Sequence, residues 1–386
     1  MPSPIRVAQV VEAVEGGCKK HVLDLLCGLD CTRFEQTLIY SPHRDPEFDQ
    51  TVRAATQNRV ETIQCDFRRT ALPHSALAVY RFLGKLFTTR RFDVLNFHSA
   101  KAGFLGRMAA RNLHKGARIY TPHCFPFEMS DRPFRQAPYI WLERWAGKHT
   151  DRLVAVAPSE AKLSADWHVL PQDRVVTIEN GIDPTPFLAE SDTAAKRAEL
   201  RIEPAQPVVL SVGALRPQKG YEFLVRAAPA VLRHHPDARF LIAGEGPLRG
   251  ELERLAGRLG AAESVQLLGA RDDVPELLKI ADCYAMPSRW EGGPYALLEA
   301  MAAGAPAVGH DIPGISDWVC EGETGRLASL GDTEGLATAI SLTLSRPAES
   351  RKMADRAREI VLERNTRDVW LGKMAELYGE SARERM

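Results

Sequence analysis

The sequence predicts an α/β protein with two doubly wound parallel sheets, one in each of two Rossmann-like domains. Three observations support this fold class. The chain has 386 residues, which is more than one ordinary hydrophobic core organises. Strand-like apolar runs alternate with helical stretches along most of the chain, as they do in right-handed βαβ units. A proline-containing stretch near residues 180–207 separates this alternation into two series.

The first series contains strand-like runs that mostly precede helical stretches. In chain order the runs are IRVAQVV, FEQTLIY, VETIQC, DVLNFHS, RIYTPH and RLVAVAPS. Helices are expected at about residues 18–29, 76–88, 103–111 and 138–148. The alternation therefore predicts a parallel sheet in the first domain.

The second series follows NGIDPTPF and predicts a second sheet. Its runs are VVLSVGA, RFLIAGEG, VQLLGA, DCYAMPS and APAVGHD, each of which leads into a turn with glycine or proline. A last helix at about residues 368–378 carries one apolar stripe, formed by Trp370, Leu371, Met374, Leu377 and Tyr378. We expect an N-terminal domain at 1–185, a C-terminal domain at 186–365 and a terminal helical segment at 366–386.

The composition is typical of a globular protein, with 45% hydrophobic and 26% charged residues. Lysine plus arginine and aspartate plus glutamate both number 50, so no net charge favours a nucleic-acid partner. The seven cysteines include no CxxC pair, which predicts reduced thiols in the cytoplasm and argues against a zinc site or a disulfide framework. We expect no signal peptide and no transmembrane helix, because no apolar run approaches the roughly 20 residues that a span needs.

Two carboxylates, Glu291 and Glu299, stand in the segment SRWEGGPYALLEAMAAGAPAV. The loop after the first of them contains Gly292, Gly293 and Pro294. The second lies in a helix that is predicted to begin near Tyr295. A strand, a glycine-rich turn and a helix N-terminus can bind phosphate, because the first helical N–H groups lack intrahelical partners. Carboxylates on either side of such a turn suit the hydroxyl groups that flank the diphosphate of a nucleotide-sugar. A buried turn with a capping glutamate is the alternative.

The segment EGGPYALLEAMAAGAPAV resembles the signature of the retaining glycosyltransferases of family 4, which have the two-domain GT-B fold. The resemblance covers nearly the whole chain. It implies that Glu291 lies by the transferred sugar and that Glu299 binds the ribose hydroxyls. It also implies an interdomain cleft and a last helix that crosses back onto the N-terminal domain. Relatives of this type mostly build bacterial surface polysaccharides.

Two features of the first domain also resemble this family. Gly16 and Gly17 in EGGCKKHVLDL match the family's Gly-Gly loop, which lies near the donor phosphates and the acceptor; glycine lets a backbone approach a ligand closely. His123 ends the run IYTPH, and ligands of open α/β sheets bind at the carboxyl ends of strands. The family has a histidine here that contacts the transferred hexose. We rank His98, at the end of DVLNFHS, below it, because a lone histidine is more often structural.

Two cations, Arg216 and Lys219, follow a predicted strand in SVGALRPQKG. Their charge suits the negative charge that grows on a leaving diphosphate. Many members of the family read G-R-L in this loop, whereas this chain has Ala214 at the arginine position. We expect Arg216, two residues later, to replace the missing arginine, whereas Lys219 matches the family directly. A solvated basic loop is the alternative.

The resemblance also implies a base-recognition loop in GARDDVPELLKIADC, where Arg271 and Val274 lie. The family reads the base edge through the backbone there, so the identity of the base stays open. The chain contains no D-x-D sequence, which glycosyltransferases that bridge the diphosphate with a metal usually need. We therefore expect no metal and no cofactor, with a helix N-terminus and cations in place of a divalent ion.

These features together predict a hexosyltransferase that uses a nucleoside diphosphate sugar, with UDP favoured, and a glycan or lipid-linked acceptor. A sugar-nucleotide epimerase of the same fold and a catalytically weak nucleotide-sugar-binding protein stay open as alternatives. Two basic and aromatic stretches, residues 80–92 and 132–152, have two interpretations. They form either helices with inward aromatic side chains or a peripheral contact with the inner face of the plasma membrane.

Overall fold

The structure is a computed structural model that describes residues 3–68, 73–129 and 133–385. The chain divides into an N-terminal unit, Met1–Asn180 with Asp368–Met386, and a C-terminal unit, Gly181–Arg367. The division follows Asn180, whereas the sequence analysis places it after residue 185. The residues between belong to the C-terminal unit because the Ile182 N–H donates to the Asn365 carbonyl oxygen at 2.8 Å and Ile182 pairs with Thr366.

The described part of the N-terminal unit contains one seven-stranded sheet in the order β3-β2-β1-β4-β5-β6-β7, with every pairing parallel. The strands are Ile5–Val11 (β1), Phe34–Tyr40 (β2), Glu61–Gln64 (β3), Val94–His98 (β4), Ala117–Thr121 (β5), Arg152–Ala155 (β6) and Val175–Thr177 (β7). The helices are Gly16–Gly28 (α1), Phe48–Thr56 (α2), Pro73–Thr89 (α3), Ala100–Ala110 (α4), Pro133–Gly147 (α5) and Pro158–Asp166 (α6).

The C-terminal unit contains one six-stranded parallel sheet in the order β10-β9-β8-β11-β12-β13. Its strands are Val208–Val212 (β8), Arg239–Ala243 (β9), Val265–Gly269 (β10), Cys283–Met286 (β11), Ala307–Asp311 (β12) and Gly325–Ser329 (β13). Its helices are Thr185–Leu188 (α7), Thr193–Glu199 (α8), Tyr221–Leu232 (α9), Arg249–Arg258 (α10), Val274–Lys279 (α11), Tyr295–Ala303 (α12), Thr333–Ser345 (α13) and Pro347–Arg364 (α14). The last helix of the chain is Arg367–Glu384 (α15).

Both faces of the N-terminal sheet are buried, as is usual for parallel sheets. Alternate residues of β1 show this, because successive side chains of a strand point to opposite faces. Ala8 and Val10 join a core with residues of α3, α4 and α5. Val7 joins a second core on the other face, which includes the α15 residues Trp370 and Met374. The apolar stripe of the last helix is therefore buried on the N-terminal unit.

Two local expectations are wrong in detail. Gly16 and Gly17 form the first turn of α1 and not a loop before it, because the helix begins at Gly16. His123 does not close β5, which ends at Thr121. Pro122 follows that strand, and proline has no N–H to donate to a sheet ladder. The stretch expected as a linker also contains the short helices α7 and α8.

Each sheet has a topological switch point where the chain order reverses. In the N-terminal unit β1 lies between β2 and β4, and in the C-terminal unit β8 lies between β9 and β11. Ligands of open α/β sheets bind at the carboxyl ends of the strands at such points. We therefore expect ligand sites at the loops after β1 and β4 and at the loops after β8 and β11. Among the described residues, no helix combines the length and apolarity that crossing a bilayer requires.

Candidate functional site

Glu291 lies in the loop between β11 and α12, and only 6% of it is exposed. Its Oε1 atom accepts hydrogen bonds from Lys219 Nζ at 2.7 Å and from Ser288 Oγ at 2.6 Å. Its Oε2 atom accepts a longer one from Gln218 Nε2 at 3.4 Å. A buried carboxylate is costly unless donors and an opposite charge compensate it. The loops after β8 and β11 therefore share one charged cluster at the switch point.

Close backbone packing joins these two loops. Gly220 follows the turn that carries Lys219 and has φ +60°, a conformation that glycine adopts without steric cost. A Cβ at Gly220 would lie 2.1 Å from the Pro287 carbonyl oxygen. Only glycine therefore lets the Lys219 turn approach the end of β11 this closely.

The glycine-rich loop continues into helix α12, which begins at Tyr295 as expected. Gly314, with φ +82°, supports this loop from the other side, since a Cβ there would lie 2.5 Å from the Glu291 carbonyl oxygen and 2.9 Å from that of Gly292. Glu299 lies on the second turn of α12 and is half-buried. The positive end of the α12 dipole follows directly after the glutamate loop, which favours a bound anion there.

The loop after β8 also holds Arg216 and Ala214. Both are exposed, and the Arg216 N–H donates to the Ala214 carbonyl oxygen at 2.8 Å. The structure thus brings Lys219 to Glu291 and leaves the Arg216 guanidinium at the surface of the same loop. Whether Arg216 replaces the family arginine stays a prediction.

The Arg271 side chain is held in an ion-pair network. Its Nε atom donates to Asp273 Oδ1 at 2.7 Å and its terminal nitrogen to Glu199 Oε1 at 2.7 Å, and Lys196 Nζ lies 2.6 Å from Asp273 Oδ2. The hydrogen bonds from Arg271 hold the pKa of Asp273 well below its usual range. The guanidinium thus ties the loop after β10 to α8, and Val274 begins α11. Base recognition by this loop, through its backbone, stays a prediction.

In the N-terminal unit three imidazoles meet beyond the carboxyl ends of β4 and β5. His98 Nδ1 lies 3.1 Å from His123 Nε2, and the two rings stack at 5.3 Å. The His21 ring, from α1, meets His123 edge-on at 4.5 Å, and His21 Nδ1 lies 3.0 Å from Asn180 Oδ1. The structure therefore groups His123 with His98, which was ranked lower, and with His21, which the sequence analysis missed.

A chain of amides fixes the tautomers of two of these histidines. Gln36 Nε2 donates to the Leu25 carbonyl oxygen at 3.1 Å, so Gln36 Oε1 must accept the 3.4 Å bond from Gln9 Nε2. Gln9 Oε1 then accepts from His98 Nε2–H at 2.9 Å. The remaining His98 nitrogen, Nδ1, therefore accepts a hydrogen bond from His123 Nε2–H. His123 Nδ1 therefore carries a lone pair.

Burial keeps these imidazoles neutral. It lowers the pKa of His21 to about 4. It also lowers the pKa values of His98 and His123 well below their usual range, with neighbouring imidazoles as a further cause. A buried imidazolium would lose its hydration without gaining a counter-ion, so the neutral form is favoured.

Unusual backbone positions His123. Ser99, His123 and Cys124 have φ values of 66°, 59° and 103°, which side-chain-bearing residues rarely adopt. The buried Glu160 holds this loop, because its Oε1 accepts from the Cys124 N–H and its Oε2 from the Val156 N–H, each at 2.7 Å. Strained backbone that the surroundings enforce is common at functional sites.

The loop after β1 is bridged by a cation. Arg44 Nε donates to Glu12 Oε1 at 3.1 Å, and the guanidinium also pairs with Glu15, next to Gly16. Gly16 has φ +56°, and among the described residues no atom beyond its chain neighbours and its own helix backbone lies within 4 Å of a Cβ built on it. The first turn of α1 is thus open on this side, as approach to a ligand requires, and donor binding by Gly16 and Gly17 stays a prediction.

Three imidazoles at this spacing are also a ligand set that zinc accepts. One ring nitrogen of each lies within 4.8 Å of the others. His98 Nδ1 and His123 Nε2, however, share a hydrogen bond and its proton. A metal would have to displace that proton, so the present arrangement is one of hydrogen-bonded imidazoles.

Comparisons with known proteins identify the family. A model described as Glycosyltransferase Family 4 matches residues 15–185, and one described as Glycosyl transferases group 1 matches residues 192–360. The chain is 31% identical to the UDP-Gal:alpha-D-GlcNAc-diphosphoundecaprenol alpha-1,3-galactosyltransferase of Escherichia coli over 270 residues. This match spans 69% of each protein. The chain belongs to the family 4 glycosyltransferases. It is therefore a glycosyltransferase enzyme, with the two Rossmann-like domains of the GT-B fold.

Further comparisons agree with this membership. The glycosyltransferase is 28% identical to the putative glycosyltransferase EpsD of Bacillus subtilis over 323 residues, or 82% of this chain and 84% of EpsD. Its fold matches the crystal structure of Anabaena Alr3699/HepE in complex with UDP and glucose, with a TM-score of 0.81, 20% identity and coverage of 97% and 100%. It also matches sucrose-phosphate synthase from Thermosynechococcus elongatus, with a TM-score of 0.82, 20% identity and coverage of 97% and 98%.

Sequence reasoning missed several residues that shape the glycosyltransferase's candidate site. Ser288, Gln218 and Gly314 hold Glu291 and its loop, and His21 completes the imidazole cluster. Ser288 stands three residues before Glu291 in PSRWEGG, so proximity could have suggested it. His21 and Gly314 carried no signal, because their contacts join segments far apart in the chain.

Proposed function

We propose that this glycosyltransferase moves a hexose from a UDP-sugar to a hydroxyl group of a glycan or lipid-linked acceptor, with retention of anomeric configuration. The observation that carries the proposal is the charged cluster at the C-terminal switch point. There Lys219 lies 2.7 Å from the buried Glu291, directly before the positive end of α12. A cation, a sugar-directed carboxylate and a helix N-terminus are the groups that a nucleoside diphosphate sugar requires.

In the C-terminal unit the residues take distinct roles in binding the donor. Lys219 and Arg216 neutralise the diphosphate, together with the α12 N-terminus and the Gly292–Tyr295 loop. Glu291 accepts hydrogen bonds from hydroxyls of the hexose. Glu299, half-buried on α12, accepts those of the ribose. The backbone near Arg271 and Val274 contacts the base.

In the N-terminal unit His123 is proposed to contact a hydroxyl of the transferred hexose. The hydrogen-bond chain that ends at His123 Nε2 leaves its Nδ1 as an acceptor, and a sugar hydroxyl is a suitable donor. A neutral imidazole suits this role because it adds no charge beside the sugar. Gly16 and Gly17 are proposed to let the first turn of α1 approach the donor phosphates.

The reaction is proposed to follow same-face displacement. The bond between the anomeric carbon and the diphosphate oxygen breaks, and the acceptor oxygen attacks from the face that the diphosphate leaves. The acceptor hydroxyl proton passes to the released diphosphate. Lys219 and Arg216 stabilise the charge that develops on the leaving oxygen, which is typically the largest catalytic contribution of such groups. No divalent cation is required, since the chain has no D-x-D sequence.

The names of similar proteins support UDP as the nucleotide. The Escherichia coli relative is named for UDP-galactose and a diphosphoundecaprenol-linked acceptor, and the HepE structure contains UDP and glucose. The lipid-linked acceptor in the Escherichia coli relative's name also favours a role in polysaccharide or glycolipid synthesis. We propose that this role is carried out at the cytoplasmic side of the membrane. An epimerase would interconvert UDP-sugars without releasing UDP, which separates that alternative experimentally.

The test is donor turnover. Incubation with UDP-galactose, UDP-glucose and UDP-N-acetylglucosamine should release UDP and free sugar slowly, and an acceptor should accelerate the release. Proton NMR of the first free sugar or transfer product should show the α anomer from an α-linked donor. EDTA should leave the rate unchanged. Turnover of GDP-mannose alone, an inverted product, or loss of activity in EDTA that magnesium or manganese restores would each overturn the corresponding part.

A further inference from the structure

Helix α5 of the N-terminal unit presents a row of aromatic side chains to the surface. Phe134 is 69% exposed, Trp141 62%, Tyr139 46% and Trp145 40%. Phe134, Trp141 and Trp145 recur, with Pro138, at the spacing i, i+4, i+7 and i+11, which places them on one helix face. Trp145 also packs against Trp141 at 5.5 Å and against Phe104 of α4 at 5.8 Å. The exposed face is thus a continuous apolar strip, whereas scattered single residues would need no explanation.

The exposed charges on α5 and directly after it are all positive. Arg135, Arg144 and Lys148 are exposed on or directly after α5. The one acid in α5, Glu143, points inward, where its Oε2 atom pairs with the buried Arg107 at 2.7 Å and its Oε1 accepts from Tyr120 at 3.1 Å. The surface of α5 is therefore cationic, although the chain as a whole has no net charge.

The neighbouring helices extend the same character. Helix α4 contacts both α3 and α5, and neither α3 nor α4 contains an aspartate or glutamate. On α3, Leu77 and Phe82 are 45% and 41% exposed, and Arg81 and Lys85 are exposed beside them. Apolar and basic side chains therefore recur on α3, α4 and α5, and the one acid of these helices, Glu143, is buried.

We propose that the exposed face of α5, with the exposed residues of α3, docks on an anionic lipid bilayer. Tryptophan and tyrosine favour the headgroup region of a bilayer, because each side chain combines an apolar ring with one polar group. Lysine and arginine at the same depth are attracted to anionic headgroups. A second copy of this chain is a poorer occupant, because two such faces would bring cations against cations.

The docking face adjoins a cavity of about 820 Å³ in the same unit. One wall of this cavity consists of Phe134, Arg135 and Tyr139 of α5, and another contains Ser99 and Lys101, directly after β4. A bilayer at α5 would therefore hold lipid headgroups next to the carboxyl edge of the sheet. The link between the docked bilayer and the cavity rests on the proposed lipid-linked acceptor. Docking itself requires no donor and no catalysis.

Vesicle co-sedimentation of the full chain tests the docking surface. The protein should bind vesicles of phosphatidylglycerol and phosphatidylcholine far more than vesicles of phosphatidylcholine alone, and salt should weaken the binding. Arg135→Glu with Arg144→Glu should reduce binding about tenfold or more. Arg351→Glu with Lys352→Glu, two exposed positions on α14, is the matched control and should bind like wild type.

A second pair of variants separates aromatic insertion from charge. Trp141→Ser should weaken binding about tenfold, and brominated lipid chains should quench wild-type tryptophan fluorescence more than that of the variant. Leu330→Ser, at a residue 50% exposed in the C-terminal unit, should bind normally. Equal binding to neutral vesicles, no binding to anionic ones at low salt, or an α5 charge reversal that matches its control would overturn the proposal. So would light scattering that shows a dimer which Trp141→Ser dissociates. None of these results depends on sugar transfer.

Discussion

The two units carry their candidate residues at equivalent places in their sheets but with different electrostatics. In the C-terminal unit the switch point holds a cation and a carboxylate in contact, Lys219 and Glu291. In the N-terminal unit it holds His98 and His123, which burial keeps uncharged. Both arrangements satisfy buried polar groups, one through an ion pair and the other through a chain of hydrogen bonds ordered by amides.

The two kinds of electrostatics indicate which ligand groups each unit can accept. A diphosphate brings two or more negative charges, so its partner must present cations and helix N–H groups, as the C-terminal unit does. Hydroxyl groups bring no charge, and a neutral imidazole with a fixed tautomer can bind them without changing its protonation. We therefore expect substitutions that change charge to affect ligand binding and activity most in the C-terminal unit. In the N-terminal unit, the tautomers of the histidines should matter most.

The largest effect is expected for Lys219→Ala. Loss of one group that stabilises charge in the transition state should lower kcat roughly 10²–10³-fold, with a smaller rise in KM. Steady-state kinetics with a UDP-sugar measure both. Lys352→Ala, at an exposed lysine on α14, should retain wild-type kinetics.

The same substitution removes the counter-charge of the buried Glu291, so its stability must be followed separately. Denaturant unfolding should show a loss that Lys219→Ala with Glu291→Gln partly restores, because the second change removes the unpaired charge. A folded Lys219→Ala enzyme whose kcat lies within a factor of a few of the wild-type value would contradict the proposal that Lys219 stabilises the leaving diphosphate.

The next effect concerns pH and the N-terminal unit. Burial lowers the pKa of His21 to about 4 in the folded protein from its ordinary value of 6.5, so the unfolded chain binds the proton more readily. His21 therefore contributes stability that is fully present above pH 6.5 and is lost as pH falls towards 4. The loss at pH 4 should be roughly 3 kcal/mol from this residue. Unfolding free energies between pH 4 and 7 measure it.

A matched pair of variants isolates that contribution. His21→Asn should reduce the pH dependence, with His98 and His123 accounting for the rest, whereas His234→Asn, at an exposed histidine, should leave it unchanged. Imidazole ¹⁵N NMR at pH 7 should show the proton of both His98 and His123 on Nε2. A protonated imidazolium in the cluster at pH 7, or the opposite tautomers, would contradict the hydrogen-bond chain.

A smaller effect is expected for Glu299→Ala. If this carboxylate accepts the ribose hydroxyls, its loss should weaken UDP binding by roughly 1.5–3 kcal/mol. Calorimetric titration with UDP measures the change, and Glu334→Ala, exposed on α13, is the control. Unchanged affinity in a folded Glu299→Ala protein would remove the ribose assignment.

The smallest expected effect separates Arg216 from Lys219. Arg216→Ala should lower kcat less than Lys219→Ala does, because Arg216 is exposed and water screens its charge. Ala214→Arg should partly restore the rate of Arg216→Ala if both positions reach one phosphate. Wild-type kcat in Arg216→Ala would show that Arg216 is a solvated loop residue with no role in catalysis.

Local patterns predicted much of the fold, including the strand, loop and helix that carry Glu291 and Glu299. The β1 and β2 runs match their strands residue for residue, and α12 begins at Tyr295 as expected. Alternating apolar runs and glycine-rich turns carry that information within a few residues. The partners within each site were not predictable in this way.

Partners escaped prediction where they depend on segments far apart in the chain. His21 meets His123 across 102 positions only because β1 and β5 lie near each other in the sheet. Arg271 was expected in a loop that contacts the base through its backbone, and nothing in the local sequence indicated that its side chain pairs with Glu199 of α8. A single sequence shows charge and spacing but not which distant element supplies the counter-charge.

The most direct test of the central comparison is calorimetric titration of wild type, Lys219→Ala and His123→Ala with UDP, UMP and uridine. For wild type the account predicts tight binding of UDP, weaker binding of UMP and the weakest binding of uridine. Lys219→Ala should lose most of the preference for UDP over uridine, whereas His123→Ala should bind UDP like wild type, since UDP carries no hexose. Equal affinity of wild type for UDP and uridine, or a UDP preference lost in His123→Ala but kept in Lys219→Ala, would contradict the assignment of the diphosphate to the C-terminal unit.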